Sequence, residues 1–217
     1  MKSKKQILFL VGAGFIAAFA VWTALVLLVD VAAIGPLGTK VGLSGLNGFF
    51  HSLTGVNMTL YAITDWLGLV PLSFAFGFAV LGLFQLIKRK GIRKVDRSIL
   101  ALGAFYLVVI AVYLLFEAIV INYRPTLIEE QLEVSYPSST TLLVTCIMPT
   151  AAMQLKTRIC NAPARRFTIT AIIVFTAFMV LGRLLSGVHW LSDIIGGALF
   201  SIGAVLIYAA ASGAFDE

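Results

Sequence analysis

Six stretches of this chain are predominantly apolar for about 20 residues each: roughly 7–29, 58–87, 98–123, 138–155, 167–185 and 190–212. That is the length a helix needs to cross the hydrocarbon of a bilayer. Inside hydrocarbon every backbone N–H and C=O has to be satisfied within the chain, which helices and closed barrels alone achieve. The expected fold is therefore all-α: a polytopic membrane protein of six transmembrane helices. No repeat, low-complexity tract or long linker interrupts residues 1–217, so a single membrane-embedded domain is expected. The composition, 60% hydrophobic and 12% charged, lies well beyond the roughly 45–50% apolar of a soluble domain. The first stretch follows Met-Lys-Ser-Lys-Lys and opens like a signal peptide. Its apolar run is too long for one, and it reads as an anchored helix.

The basic residues orient the spans. Lys2, Lys4 and Lys5 precede the first; Lys88, Arg89, Lys90, Arg93, Lys94 and Arg97 separate the second and third; Lys156, Arg158, Arg165 and Arg166 separate the fourth and fifth. The opposite side holds only Lys40, Arg124 and Arg183. By the positive-inside rule both termini are cytoplasmic. The net charge of +6 is thereby a topology signal beside anionic lipid, not a nucleic-acid surface. Cys146 in an apolar run and Cys160 in a basic loop form no spacing motif and suggest no structural disulfide. Residues 35–55, with Gly35, Gly38, Gly42, Gly45 and Gly48, read as an interfacial or shallow re-entrant segment on the outer side.

This orientation brings the remaining ionisable groups to one face. Arg124-Pro125 closes the third span, Pro137-Ser138-Ser139-Thr140 opens the fourth, and Arg183-Leu-Leu-Ser-Gly-Val-His189-Trp-Leu-Ser-Asp193 lies between the last two. Ionisable residues at a membrane border are costly and functional by default. On a helix His189 and Asp193, four apart, share a face, which lets the carboxylate fix the imidazole tautomer. Arg183 supplies a fork for phosphate oxygens. Pro137 with hydroxyls around it is a helix-start signature, and a helix start favours a bound phosphate. Charges gathered at one face, with almost none at mid-bilayer, argue against a channel or a midplane transporter.

Taken in order, Arg-Pro, Pro-Ser and Arg-x5-His-x3-Asp resemble the three signature motifs of the type 2 phosphatidic acid phosphatase superfamily, the integral-membrane lipid phosphate phosphatases. The resemblance implies that His189 attacks phosphorus to form a phosphohistidine, that Asp193 orients it, and that Arg124, Arg183 and the backbone at Ser138 and Ser139 bind the phosphate. It implies no metal and no cofactor. The expected partner is a phosphorylated lipid of the cell membrane, met at an outward-facing site.

Four positions depart from the family pattern. The first motif opens with a Lys where this chain has Glu117, which at seven residues, or two helical turns, from Arg124 is expected to face and pair with it. The second ends in Gly-His, whose His protonates the leaving group, where this chain has Ser139-Thr140. The Ser before the third-motif Arg is Gly182. Two readings follow. In one the protein hydrolyses a phosphate or pyrophosphate lipid (phosphatidate-like or undecaprenyl pyrophosphate-like), with Lys40 and His51 of the 35–55 segment as modulators and His51 as a candidate acid. In the other it is a catalytically impaired family member that binds or translocates a phosphorylated lipid.

Other residues are assigned structural work. Asp30 and Asp65 are expected to cap interfacial helix ends or pair with Lys40. Glu129, Glu130 and Glu133 are expected to form a solvated acidic loop, and Trp66, Trp190, Tyr123 and Tyr136 an aromatic belt. Gly187 is expected to turn the chain between Arg183 and His189, and Gly196 and Gly197 to permit close helix packing.

Overall fold

Helices that face lipid satisfy their backbone internally and turn apolar side chains outward. A computed structural model shows this arrangement over the described residues, 3–212. It contains eight α-helices: α1 Lys4–Leu28, α2 Ser44–Thr54, α3 Met58–Leu67, α4 Leu69–Arg89, α5 Arg97–Ala118, α6 Ser139–Arg158, α7 Ala162–Leu185 and α8 Leu191–Ser212. Among the described residues there are no strands, only isolated bridges in loops. Lys2 of the first basic cluster lies outside the described residues. Local chemistry sets several helix starts: a capping box of Ser3 with Gln6 at α1, Ser138 at α6, and Asn161 with a first-turn Pro at α7.

Large apolar side chains such as Phe76, Leu107 and Phe167 stand exposed, whereas Asn47, Thr64, Thr150, Gln154 and Ser201 are buried. That is the reverse of a water-soluble protein, and the chain is a multi-pass membrane protein. Five helical segments are long and apolar enough to cross a membrane: α1, α3 with α4, α5, α7 and α8. The sixth expected span, α6, is 20 residues long but carries Thr140, Thr141, Thr145, Thr150, Thr157 and Gln154. It lies against α4, α5, α7 and α8, with Val144, Cys146, Met148 and Ala151 buried. A helix enclosed by protein needs no lipid-compatible perimeter.

Three boundaries differ from the sequence reading, each for a local reason. The second span is bent, dividing at Gly68 into α3 and α4, because Pro71 in the first turn of α4 cannot donate to the carbonyl four residues back. The third span stops at Ala118. The β-branched run Ile119-Val120-Ile121 and the restriction that Pro125 places on Arg124 both disfavour helix. Residues 119–138 instead form an irregular excursion closed by the Tyr123–Val134 and Ile128–Gln131 bridges. The 35–55 segment does not cross: α2 is 11 residues, about 16 Å, packed on α8. Asp30 caps it as expected, accepting from the Ser44 hydroxyl at 2.9 Å and the Gly45 amide at 2.7 Å. These donors hold its carboxyl below the usual range.

Close backbone approach fixes the α1–α8 crossing. A Cβ on Gly12 would stand 2.9 Å from the Gly203 carbonyl oxygen, and one on Gly203 2.9 Å from that of Gly12. Gly196 and Gly197 pack against the 136–141 segment, where a Cβ would come within 2.7 Å of the Tyr136 ring and 3.2 Å of the Ser138 oxygen. Gly203→Val is expected to cost about 1–3 kcal/mol by overpacking. Thermal denaturation in detergent checks it, with a lowered midpoint expected for Gly203→Val and little change for Gly14→Ala, whose Cβ would meet nothing within 4 Å.

Candidate active site

The short connection between α7 and α8 holds the central residue. After Arg183 the chain turns through Ser186 and Gly187, the latter at φ 65°, a left-handed conformation that suits glycine. A Cβ there would lie 1.7 Å from the Gly55 carbonyl oxygen, and the Asn57 amide donates to the Ser186 carbonyl at 2.9 Å. The end of α2 and the start of α3 thus press on this turn and fix its path. His189 follows, buried, just before α8.

His189 and Asp193 do not share a helix face as the spacing suggested, because α8 begins only at Leu191. Asp193 sits in its first turn and reaches back to accept the Trp190 amide at 2.9 Å, a capping interaction favoured at the positive end of a helix. His189 Nδ1 is 3.7 Å from Asp193 Oδ2, too long for a hydrogen bond. Ser135, which sequence reasoning did not single out, fills the gap: its Oγ lies 3.0 Å from His189 Nδ1 and its hydroxyl donates to Asp193 Oδ2. The Asn122 amide nitrogen and the Ser192 hydroxyl supply Asp193 Oδ1 at 3.4 and 3.3 Å.

Arg183 is 2% exposed. Its Nε and Nη2 donate to Thr140 Oγ1 at 2.9 and 2.7 Å, and Nη2 also to Asp65 Oδ1 at 2.6 Å. Asp65 therefore belongs to the site; it neither caps a helix end nor pairs with Lys40, because the bent second span carries α3 against α7. Arg124 Nε is 3.1 Å from Glu133 Oε2, so Glu133 is not simply a solvated loop residue. Both guanidiniums lie over the Tyr61 ring, Arg183 at 4.8 Å and Arg124 at 5.6 Å from its centroid, attracted by the electron-rich face. Arg124 Nη1, Arg183 Nη1 and His189 Nε2 are buried without a hydrogen-bond partner. Buried polar atoms left unpaired are costly; an oxyanion beside them would satisfy the two guanidinium nitrogens.

The other expected residues fall elsewhere. Glu117 does not face Arg124, since the helix that would have aligned them ends at Ala118. It lines a small pocket with Tyr113, Phe116 and Ser139. The Ser138 amide is already taken by the Asp193 carbonyl at 3.1 Å, which removes it as a phosphate donor. Trp190 is buried, not part of a belt; its indole donates to the Tyr123 carbonyl at 2.8 Å. Tyr136 is buried too, bonded to the Thr23 hydroxyl at 2.7 Å. His51 packs its ring 5.4 Å from that of Trp190, with Nδ1 buried and unpartnered. Lys40 is exposed on the approach to α2. Asn47 anchors the start of α8: its side chain donates to the Ser192 hydroxyl at 2.9 Å and accepts the Ser192 amide at 3.0 Å.

Two arginines and a histidine are thus buried in a multi-pass helical membrane protein, each with a side-chain nitrogen that has no hydrogen-bond partner. The sequence model of the PAP2 superfamily matches residues 118–216, a segment that includes Arg124, Pro137–Thr140 and Arg183–Asp193, and over that segment the chain is similar to the superfamily. Its fold is shared with the crystal structure of a transmembrane PAP2-type phosphatidylglycerolphosphate phosphatase from Bacillus subtilis, at 20% identity over 92% of this chain and 94% of that one, with a TM-score of 0.54. No curated protein sequence gives a match.

Burial pushes the His189 imidazole down to about 4; Asp193 opposes this, while the charges of Arg124 and Arg183 reinforce it. Because the folded value is lowered, the ring is neutral from neutral pH downward until pH falls through about 4, where it gains a proton. An unburied histidine would gain it near 6.5. Titration of the imidazole signals by NMR in detergent checks this: the signal absent from His189→Ala is expected to stay that of a neutral ring at pH 5.5, and a midpoint near 6.5 would contradict the burial.

Proposed function

We propose that this protein is a membrane phosphatase that removes phosphate from a phosphorylated lipid through a covalent phosphohistidine at His189. The observation that carries the reading is the set of three buried unpartnered nitrogens, Arg124 Nη1, Arg183 Nη1 and His189 Nε2. A phosphoryl group placed among them accepts from both guanidiniums, and its phosphorus faces a nucleophilic lone pair. The Nε2 pair forms the N–P bond as the P–O bond to the leaving group breaks, and that oxygen departs with the electron pair. Water then adds to phosphorus, the N–P pair returns to Nε2, and the water's proton is lost to solvent. The arginines stabilise the charge that develops on the equatorial oxygens.

The residues around this point favour a particular leaving group. Thr140, standing where the family has its acid, is occupied in holding Arg183. Burial lowers His51, so its cationic, proton-donating form is scarce at neutral pH. A lipid pyrophosphate leaves as a stabilised phosphate anion and needs little protonation, whereas a phosphate monoester leaves as an alkoxide. The reading is therefore of a lipid pyrophosphatase before a phosphatidate-like phosphatase. The distribution of basic residues supports cytoplasmic termini and an outward-facing site, with the enclosed α6 counted as a sixth span. A second reading, a protein that binds or translocates a phosphorylated lipid without turning it over, draws on the same missing acid and on the carboxylates of Asp65 and Glu133 against the clamp.

Phosphate release from undecaprenyl pyrophosphate, undecaprenyl phosphate, phosphatidate and phosphatidylglycerol phosphate in liposomes separates the two. Expected are a preference for the pyrophosphate, background release for His189→Ala, and a loss of about 10²–10³-fold in kcat for Arg183→Ala. Alkaline denaturation during turnover should trap an N–P adduct on the wild type. Release from none of the lipids, with binding that depends on Arg124 and Arg183, would replace the enzyme by the binding protein.

A further inference from the structure

Donor and acceptor counting around Asp193 has a consequence for the nucleophile. An ionised carboxylate only accepts, and a serine hydroxyl has one proton to give. Asp193 is fully buried, and its Oδ2 takes the Ser135 proton and the Trp190 amide. The Ser135 oxygen, its proton committed, presents lone pairs to His189 Nδ1 at 3.0 Å, so Nδ1 has to carry a hydrogen. The opposite assignment would turn the serine oxygen's lone pairs toward a carboxylate oxygen and leave Asp193 short of a donor. Ser135 is itself held in place: it is 2% exposed, and its amide donates to the Asn122 carbonyl at 2.9 Å. Asn122 in turn donates to Asp193.

We infer that Ser135 is the positioning residue for the nucleophile, bridging Asp193 to His189 Nδ1 so that the lone pair sits on Nε2, the buried and unpartnered ring nitrogen. This rests on the phosphohistidine reading given above. In the first step Nε2 forms its bond to phosphorus, the P–O bond to the leaving group breaks, and Nδ1 keeps its hydrogen. The positive charge that the ring acquires is passed through the Ser135 hydroxyl to the Asp193 carboxylate as two strengthened hydrogen bonds. In the second step the N–P bond breaks and the ring returns to the same neutral tautomer. Ser135 does not touch the phosphoryl group; it acts only through the imidazole.

The chain has two histidines, so 15N-histidine labelling gives two imidazole patterns, and the one missing from His189→Ala is that of His189. The wild type is expected to show the Nδ1–H form for His189. Ser135→Ala is expected to shift it toward the Nε2–H form and to lower kcat by at least about 10-fold, toward the roughly 10⁴-fold that follows loss of a catalytic histidine's orienting group, with KM little changed. Ser135→Thr, which keeps the hydroxyl, is expected to restore both. An Nε2–H form in the wild type would overturn the inference even if the alanine variant does not fold. Retention of the Nδ1–H form in Ser135→Ala would overturn it whatever the rate. The tautomer is read without turnover. Failure of the wild type to release phosphate, with the Nδ1–H form in place, would remove the proposed enzyme and leave the bridge standing.

Discussion

A carboxylate with no contact with water has to be given donors, or the cost of burying its charge, several kcal/mol for an ion even after relaxation, falls on the fold. Asp193 is such a group, fully buried at the start of α8. Its donors come from separated parts of the chain: the Trp190 amide and Ser192 hydroxyl from its own turn, and Ser135 and Asn122 from the 119–138 excursion. Asn47 of α2 extends the network through Ser192. Satisfying one anion thereby gathers the excursion after α5, the turn after α7 and the interfacial helix α2 around the first turn of α8. His189 is placed as a consequence of that convergence.

The arginines are balanced differently. Arg183 is buried, yet its carboxylate partner Asp65 has a side chain 56% exposed; Arg124 is mostly buried and its partner Glu133 is 41% exposed. Pairs with one wet partner are screened and contribute little, so these carboxylates hold the arginines only weakly. Thr140 is the firmer partner, holding two nitrogens of Arg183 and leaving Nη1 free. Tyr61 lies beside both guanidiniums. The imidazole is held from Nδ1 by a buried hydroxyl while the arginines' outer contacts are exchangeable, a combination that suits the proposed binding and release of an anion.

How much of this was legible in the sequence varies by residue. The Arg183–His189–Asp193 spacing and the Ser138 cap are local, and both stand out against apolar surroundings. Glu117 and Arg124 misled because their seven-residue separation implies a shared face only if helix continues, and three β-branched residues and a proline stop it. Ser135, Asn122, Asn47 and Tyr61 gave no signal. In interfacial loops polar residues are common, and nothing in their spacing distinguishes one that solvates a buried carboxylate from one that faces water. Trp190 and Tyr136 looked like belt residues for the same reason: their amphipathic rings suit an interface, and only packing shows that they are buried.

Hydropathy over about twenty residues and the backbone's need for internal hydrogen bonds act locally, so the sequence alone determined a helical, multi-pass membrane protein and the motif residues at its polar border. Tertiary structure decided where the third span ends, that α6 runs inside the bundle, that Asp65 and Glu133 meet the arginines, and that Ser135 stands between Asp193 and His189. Those outcomes depend on contacts between residues far apart in the chain, such as Asp65 with Arg183 and Ser135 with His189. The energy of such a pair comes from mutual desolvation at a place that exists only once the helices have packed.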